Sequence, residues 1–253
     1  MGSDRPESDG DTPRRFGSYT TARVSAGRVE RVERHIRRLR RDAARLGLPR
    51  PDPEEAEHLL VETARRAFGR ANGIVRVEWS REGDGPPALV GSSRGLGEDL
   101  DRWRACCAET VHPGPEARGG AKSVAVEAYT LARDEIRDRG VNEVLLFDRA
   151  GFVVEGARSN LLVVDEEGRL LTPDPALGAV DGLGLEIVRE QHPQIAPAQL
   201  RREDLLQARE LLAVNAVRGV VPIVVLDDEP VGSGRPGPFS KRLREPFFRP
   251  RSG

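Results

Sequence analysis

The sequence predicts an α+β fold. Two observations carry that prediction. Short strands joined by polar turns gather as hairpins between residues 143 and 164, and amphipathic helices occupy their own stretches instead of alternating with strands as in a parallel βαβ sheet. No internal repeat is visible, which sets solenoids and propellers aside.

The elements follow in order. SYTTARV (18–24) predicts a strand closed by a turn at Ser25-Ala26-Gly27. Strand alternation places Tyr19, Thr21 and Arg23 on one face. Residues 32–46 predict a helix with Ile36, Leu39, Ala43 and Leu46 as its apolar stripe and Gly47 and Pro49 as stop signals. A second helix is predicted over 53–70 and a strand over GIVRVEWS (73–80). The glycine-rich, charged stretch 92–101 marks the best boundary between two units. Further on, a helix is predicted from Lys122 to Arg139, ended by Gly140. Strands are predicted at 143–148, 151–155 and 160–164, a helix at 182–190, strands at 210–215 and 220–226, and a last helix at 237–248.

The chain has 253 residues, enough for two modest units with real cores, and a net charge of −1, which gives no global pull toward nucleic acid or an anionic membrane. No run of eighteen apolar residues predicts a membrane helix. Residues 1–15 are polar, lack an apolar signal core and read as a disordered tail. Cys106 and Cys107 are adjacent, a poor arrangement for a disulfide or a zinc site, and fit a reduced intracellular protein. No metal site is predicted. Only Lys122 and Lys241 are lysines among 40 basic residues. Arginine does not readily give up its proton, so a lysine kept in such a chain is a candidate for amine chemistry. The run RHIRRLRR contains five arginines, but Glu30, Glu33 and Asp42 are interspersed around it, which argues against a nucleic-acid patch.

The stretch GAKSVAVEAYTLARDEIRDRGVNEVLLFDRAGFVVEGARSNLLVVDEEGRLLTPDPALGAVDG resembles the core of the class IV aminotransferases and aminodeoxychorismate lyases. Lys122, Asp148, Gly151, Glu155, Asn160, Thr172, Pro173 and Gly182 fall in the family's order and spacing. FGSYTTARV and HIRRLRRDAARLGLP look like its first strand and helix, and VNAVRGVVPI like its late strand and turn.

The resemblance implies fold type IV architecture: a smaller α/β domain over 16–97, a linker over 98–104 and a larger barrel-like domain over 105–253, with pyridoxal 5'-phosphate between them in a cytoplasmic homodimer. It implies Lys122 as the amine that joins the cofactor and Glu155 as the carboxylate at the ring nitrogen. Arg38 would bind the cofactor phosphate, with the backbone N–H groups of Leu183 and Gly184, since a helix N-terminus is a ready anion site. Tyr19, Thr21 and Arg23 would line the substrate side. Where the family has Gly-Ile-Thr, this chain has Gly182-Leu183-Gly184, and Ala125, Glu127 and Leu185 are further departures. TTARV and VNAVRGVVP lean toward the lyase branch, which eliminates pyruvate from aminodeoxychorismate to give 4-aminobenzoate. An aminotransferase of branched-chain or D-amino acids is the alternative. A non-catalytic relative that keeps the fold is the rival from another class.

Overall fold

The computed structural model describes residues 15–117 and 119–247. Residues 1–14 of the expected tail lie outside the described residues, and Arg15 already opens a strand. The order is β1 (Arg15–Ser25), β2 (Arg28–Val29), α1 (Val32–Arg45), α2 (Pro53–Phe68), β3 (Gly73–Glu82), β4 (Ala88–Arg94), β5 (Trp103–Val111), α3 (Glu127–Asp138), β6 (Glu143–Phe147), β7 (Val153–Gly156), β8 (Asn160–Val164), β9 (Leu170–Pro173), α4 (Leu183–Gln191), β10 (Ala196–Ala198), α5 (Arg202–Gln207), β11 (Glu210–Asn215), β12 (Gly219–Leu226), β13 (Glu229–Pro230) and α6 (Pro238–Phe247).

Two sheets organise the chain. The first is antiparallel, in the order β2-β1-β3-β4. The second face of β1, holding Ala22 and Val24, packs with Val75 and Val77 of β3 against Ile36 and Leu39 of α1 and Ala56, Leu60 and Ala64 of α2. Alternation therefore turns Tyr19, Thr21 and Arg23 away from this core. The second sheet has nine strands, ordered β10-β9-β8-β11-β12-β5-β6-β7 with β13 paired to β12. β5 lies parallel to both β12 and β6, while the hairpins on either side are antiparallel. β7, at one end of the order, comes back against β8 and β9, so the sheet curls toward a barrel. Trp103, Leu145, Leu161, Leu211 and Ile223 fill one side of it, and α4 and α6 cover the other through Leu183, Ile187, Leu243 and Phe247.

Three expectations change. The helix predicted to start at Lys122 starts at Glu127. The preceding residues are extended, with Ser123 bridged to Ser18, and Ala125 takes a left-handed φ of 54° that no helix contains. β4 runs into the stretch taken as a boundary. Its glycine and serines gave no strand pattern, but it is an edge strand with Gly91 tucked against Thr63 of α2. The stretch 98–104 expected as linker ends inside β5, which begins at Trp103 and is central in the large sheet.

Candidate active site

Lys122 sits where the two sheets meet. Tyr19 N donates to Lys122 O at 3.0 Å and Val124 N donates to Gly17 O at 2.8 Å, so the segment behaves as a short added strand on β1. Asp42, fully buried in α1, accepts from Lys122 N at 3.1 Å through one oxygen and from Arg41 Nε at 3.0 Å through the other. With its backbone held on both sides, Lys122 lines a cleft of about 760 Å³. Its Nζ lies 4.8 Å from the centroid of the Tyr19 ring, and the Arg76 guanidinium carbon lies 3.6 Å from that centroid. Burial alone would raise the Tyr19 phenol, but the charges of Lys122 and Arg76 and a hydrogen bond with Lys122 outweigh it and bring the group down to about 8.

Arg38 reaches the same cleft from α1 and is only 5% exposed. Its Nη2 donates to Thr20 Oγ1 at 2.7 Å, and that oxygen lies 2.7 Å from His35 Nδ1. Burial, with Arg38 and Arg31 close by, holds His35 well below its ordinary range, so the ring is neutral. The Thr20 hydroxyl can then accept from Arg38 and donate to His35, which fixes the guanidinium. Arg38 Nε is buried with no hydrogen-bond partner among the described residues. α4 begins beside it in the cleft lining: Gly182 is its N-cap, and the N–H groups of Leu183 and Gly184 belong to the first turn, which has no intrahelical acceptor. Gly184 packs so closely on β11 that an added Cβ would stand 2.8 Å from the Asn215 backbone.

Glu155, at the end of β7, is 3% exposed and heavily solvated by protein donors. Its Oε1 accepts from the Tyr129 hydroxyl and, at 3.1 Å, from Val180 N; its Oε2 accepts from Asn160 Nδ2 at 3.3 Å. Behind Tyr129 stands His112, with Nε2 2.8 Å from the Tyr129 oxygen and Nδ1 accepting from Gly114 N at 3.0 Å. An accepting Nδ1 places the ring hydrogen on Nε2, so His112 donates to Tyr129 and Tyr129 to Glu155. The chain of donors ends on a carboxylate, the form that accepts from all of them.

The structure thus brings Lys122, Arg38, Glu155, Leu183, Gly184, Tyr19 and Thr21 into one cleft. Arg23 is not among the lining residues. It is bound through both terminal nitrogens to Asp99, and Nη1 also donates to Val217 O at 3.1 Å. Strand phase put it on the correct face, but an acid from the connection after β4 claims it. The sequence reading missed Asp42, Arg76, Tyr129 and His112. Arg76 had a visible signal, since it alternates with apolar residues on the same strand pattern as Tyr19. Asp42 was hidden in an arginine run and Tyr129 in an ordinary helix. The cysteines take no part: neither forms a disulfide, and burial, followed by the neighbouring Asp227, pushes the Cys107 thiol up to about 12.

These residues fit pyridoxal 5'-phosphate. A buried guanidinium nitrogen without a partner and a helix start kept bare by glycine suit its phosphate. A buried, ionised carboxylate suits a protonated ring nitrogen, and a primary amine in the same cleft suits its aldehyde. No group of acidic, histidine or cysteine side chains that could hold a metal occurs among the described residues, and no helix among them is long and apolar enough to cross a membrane.

Comparison with known proteins points the same way. A branched-chain-amino-acid aminotransferase of Escherichia coli K12 is 28% identical over 159 residues, covering 61% of this chain and 50% of that protein. A probable one from Aquifex aeolicus is 25% identical over 162 residues, 62% of this chain and 50% of its own length. The matched part of the chain thus spans about half the length of these relatives. A putative one from Methanocaldococcus jannaschii is 26% identical over 248 residues, 91% of this chain and 85% of that protein. Among solved structures, the E. coli branched-chain amino acid aminotransferase superposes with a TM-score of 0.78 at 24% identity, covering 92% of this chain and 84% of that one. A hypothetical aminotransferase from Mycobacterium tuberculosis in its PLP-bound form has the same TM-score at 21% identity, covering 91% and 87%. These superpositions show fold type IV. The sequence model of the amino-transferase class IV family matches residues 17–226, and the chain therefore belongs to that family of pyridoxal-phosphate enzymes.

Proposed function

We propose that the chain is an aminotransferase that moves an amino group from an amino acid to a 2-oxo acid, with Lys122 as its reactive amine. One observation carries the reading: a single cleft gathers Lys122, Arg38 with the first turn of α4, and Glu155. When bound, the cofactor supplies a carbonyl that takes up the substrate amine and a ring that accepts electrons from it. In this reading Arg38 and the N–H groups of Leu183 and Gly184 bind the phosphate. Glu155, held as an anion by Tyr129, Asn160 and Val180 N, keeps a proton on the ring nitrogen. Lys122 Nζ, once displaced by the substrate, takes the proton from the substrate Cα. Tyr19 and Thr21 face the substrate.

The lean toward aminodeoxychorismate lyase gives way here. The relatives described above are named as aminotransferases, which supports transamination, and Arg23, one of the residues behind the lean, is spent on Asp99. A homodimer, a cytoplasmic setting and a division of the chain into a smaller unit expected at 16–97 and a larger one expected at 105–253, the connection between them shortened by the start of β5 at Trp103, remain parts of the proposal. The two separate sheets support the division.

The test mixes the cofactor-loaded protein with single amino acids and follows both the cofactor's colour and the 2-oxo acid released. Colour change with stoichiometric oxo acid is the expected result. Pyruvate and 4-aminobenzoate from aminodeoxychorismate, with no response to any amino acid, would reinstate the elimination reaction. A protein that takes up no cofactor would make the fold a non-catalytic relative.

A further inference from the structure

The short segment that carries Lys122 is held at both ends. Asp42 is fully buried on α1; its Oδ2 accepts from Lys122 N at 3.1 Å while its Oδ1 accepts from Arg41 Nε at 3.0 Å. Arg41 reaches on to a third element: its Nη2 donates to the Asp181 carbonyl at 3.2 Å, and Asp181 N donates to Gly120 O at 2.9 Å. Asp181 immediately precedes Gly182, the N-cap of α4. The ring of contacts therefore closes on residues 120–122 from two sides, with α1 and the approach to α4 as its walls. Gly120 makes this approach possible: its φ is 77°, and an added Cβ would stand 3.4 Å from the Ala179 carbonyl oxygen.

A buried carboxylate is a costly acceptor for one main-chain N–H. A backbone carbonyl satisfies the same kind of donor two residues on, where Val124 N meets Gly17 O at 2.8 Å. What the carboxylate adds is a fixed direction. With both oxygens occupied Asp42 cannot turn, and the N–H it holds sets how the Lys122 side chain leaves the backbone toward the Tyr19 ring, 4.8 Å from Nζ. Its charge has a second effect. Burial works against the cation at Arg38, and Asp42, one helical turn further along α1, is the first of the groups that oppose it.

We propose that Asp42 is a positioning residue for the Lys122 amine: held by Arg41, it acts through the Lys122 main chain to aim the amine at the cofactor's carbonyl. This rests on the reading of Lys122 as the reactive amine and deepens it. Asp42 does not line the cleft, so its action is indirect. Two consequences run in opposite directions. Without Asp42 the amine is misdirected, and a ligand that must join it binds less well. The same loss leaves Arg38 without its opposing charge, and a ligand held by its phosphate alone binds as well or better. A general loosening of the fold would weaken both.

The experiment compares Asp42→Ala with Asp42→Asn, which keeps an oxygen for Lys122 N. The first readout is the Tyr19 phenol in the cofactor-free protein, raised by burial but brought down to about 8 chiefly by Lys122. Removal of a negative charge by itself lowers a phenol, so a rise reports displacement of the amine. The midpoint is expected to move up toward 10.0 in Asp42→Ala and to stay near 8 in Asp42→Asn. The second readout is equilibrium binding of pyridoxal 5'-phosphate against 4'-deoxypyridoxine 5'-phosphate, which has the ring and the phosphate but no carbonyl. Asp42→Ala is expected to lose at least about tenfold in affinity for the first, the effect of one hydrogen bond to a charged group, and nothing for the second. Asp42→Asn should recover most of that loss. A midpoint unmoved or lowered in Asp42→Ala, or equal losses for both ligands, overturns the proposal. Hydrogen exchange tests it with no variant at all: the Lys122 amide of the cofactor-free wild type is expected to exchange slowly, and exchange at the rate of an open chain overturns the proposal as well. Lys122→Ala separates the underlying reading. Unchanged affinity for pyridoxal 5'-phosphate in that variant removes Lys122 as the reactive amine, while the phenol in Asp42→Ala still reports whether Asp42 places the side chain.

Discussion

The hydroxyl of Tyr129 points its hydrogen at Glu155 Oε1, and His112 stands behind it with Nε2 2.8 Å from the same hydroxyl oxygen. A carboxylate 3% exposed stays charged only when donors replace water, and here they do. Tyr129→Phe removes one of them. The loss of a hydrogen bond to a buried charge is expected to cost about 1.5–3 kcal/mol, read as a lower urea midpoint. Glu155→Gln removes the charge itself. That variant is expected to take up cofactor through Arg38 and Lys122 but to turn over about 10²–10³-fold more slowly. Wild-type turnover in Glu155→Gln would take Glu155 out of the chemistry.

The two lysines separate cleanly. Lys122 lines the cleft, while Lys241 lies exposed on α6. Borohydride treatment of the loaded protein followed by peptide mapping is expected to find the cofactor on Lys122. Lys122→Ala should abolish the fixed adduct and Lys241→Ala should leave it intact. An adduct on Lys241 would refute the assignment.

Tyr19 reports the charge around the reactive amine. Its phenol is brought from 10.0 down to about 8, so between those pH values the folded protein binds fewer protons than the unfolded chain. Folding stability therefore rises with pH across that window and is lost again as pH falls through about 8. The chain has only two tyrosines, so a spectroscopic tyrosinate titration of the cofactor-free protein resolves them. One midpoint is expected near 8. It should vanish in Tyr19→Phe and move toward 10 in Lys122→Ala, whose amine supplies the first-named attraction. An unmoved midpoint in Lys122→Ala would show that the two groups are not coupled.

Gly184→Thr restores the residue the family pattern carries, yet it should weaken this protein. The new Cβ would lie 2.8 Å from the Asn215 backbone, with no flexible side chain to give way. An overpacking cost of about 1–3 kcal/mol is expected, and the displaced first turn of α4 should raise the cofactor dissociation constant by about tenfold. Gly184→Ala probes the same contact with less bulk. Unchanged affinity in both would mean that α4 does not hold the phosphate.

Much of this site could be read in advance because its residues carry unusual chemistry at fixed spacing. Lys122 stood out by scarcity, and Glu155 and Arg38 by their distance from neighbours that match the family. What failed was local. A helix was assigned from Lys122 because the following residues have helical periodicity, but pairing with β1 and the left-handed backbone at Ala125 delay it to Glu127. β5 was invisible because WRACCAETV mixes charged and small residues, and only its place between β12 and β6 makes it a strand. Arg23 was given the correct face but not its partner, since Asp99 lies 76 residues away and no local pattern foretells such a pair.

The hydrogen bond from Tyr19 N to Lys122 O has an outcome for how the protein comes into being. The reactive residue is stitched by its own main chain to a strand that begins the described chain and to Asp42 of α1, so its placement waits on a pairing between segments far apart in sequence. Colour acquired during refolding would then signal that the first strand has found the middle of the chain, and a protein halted before that encounter should stay colourless however complete its separate parts.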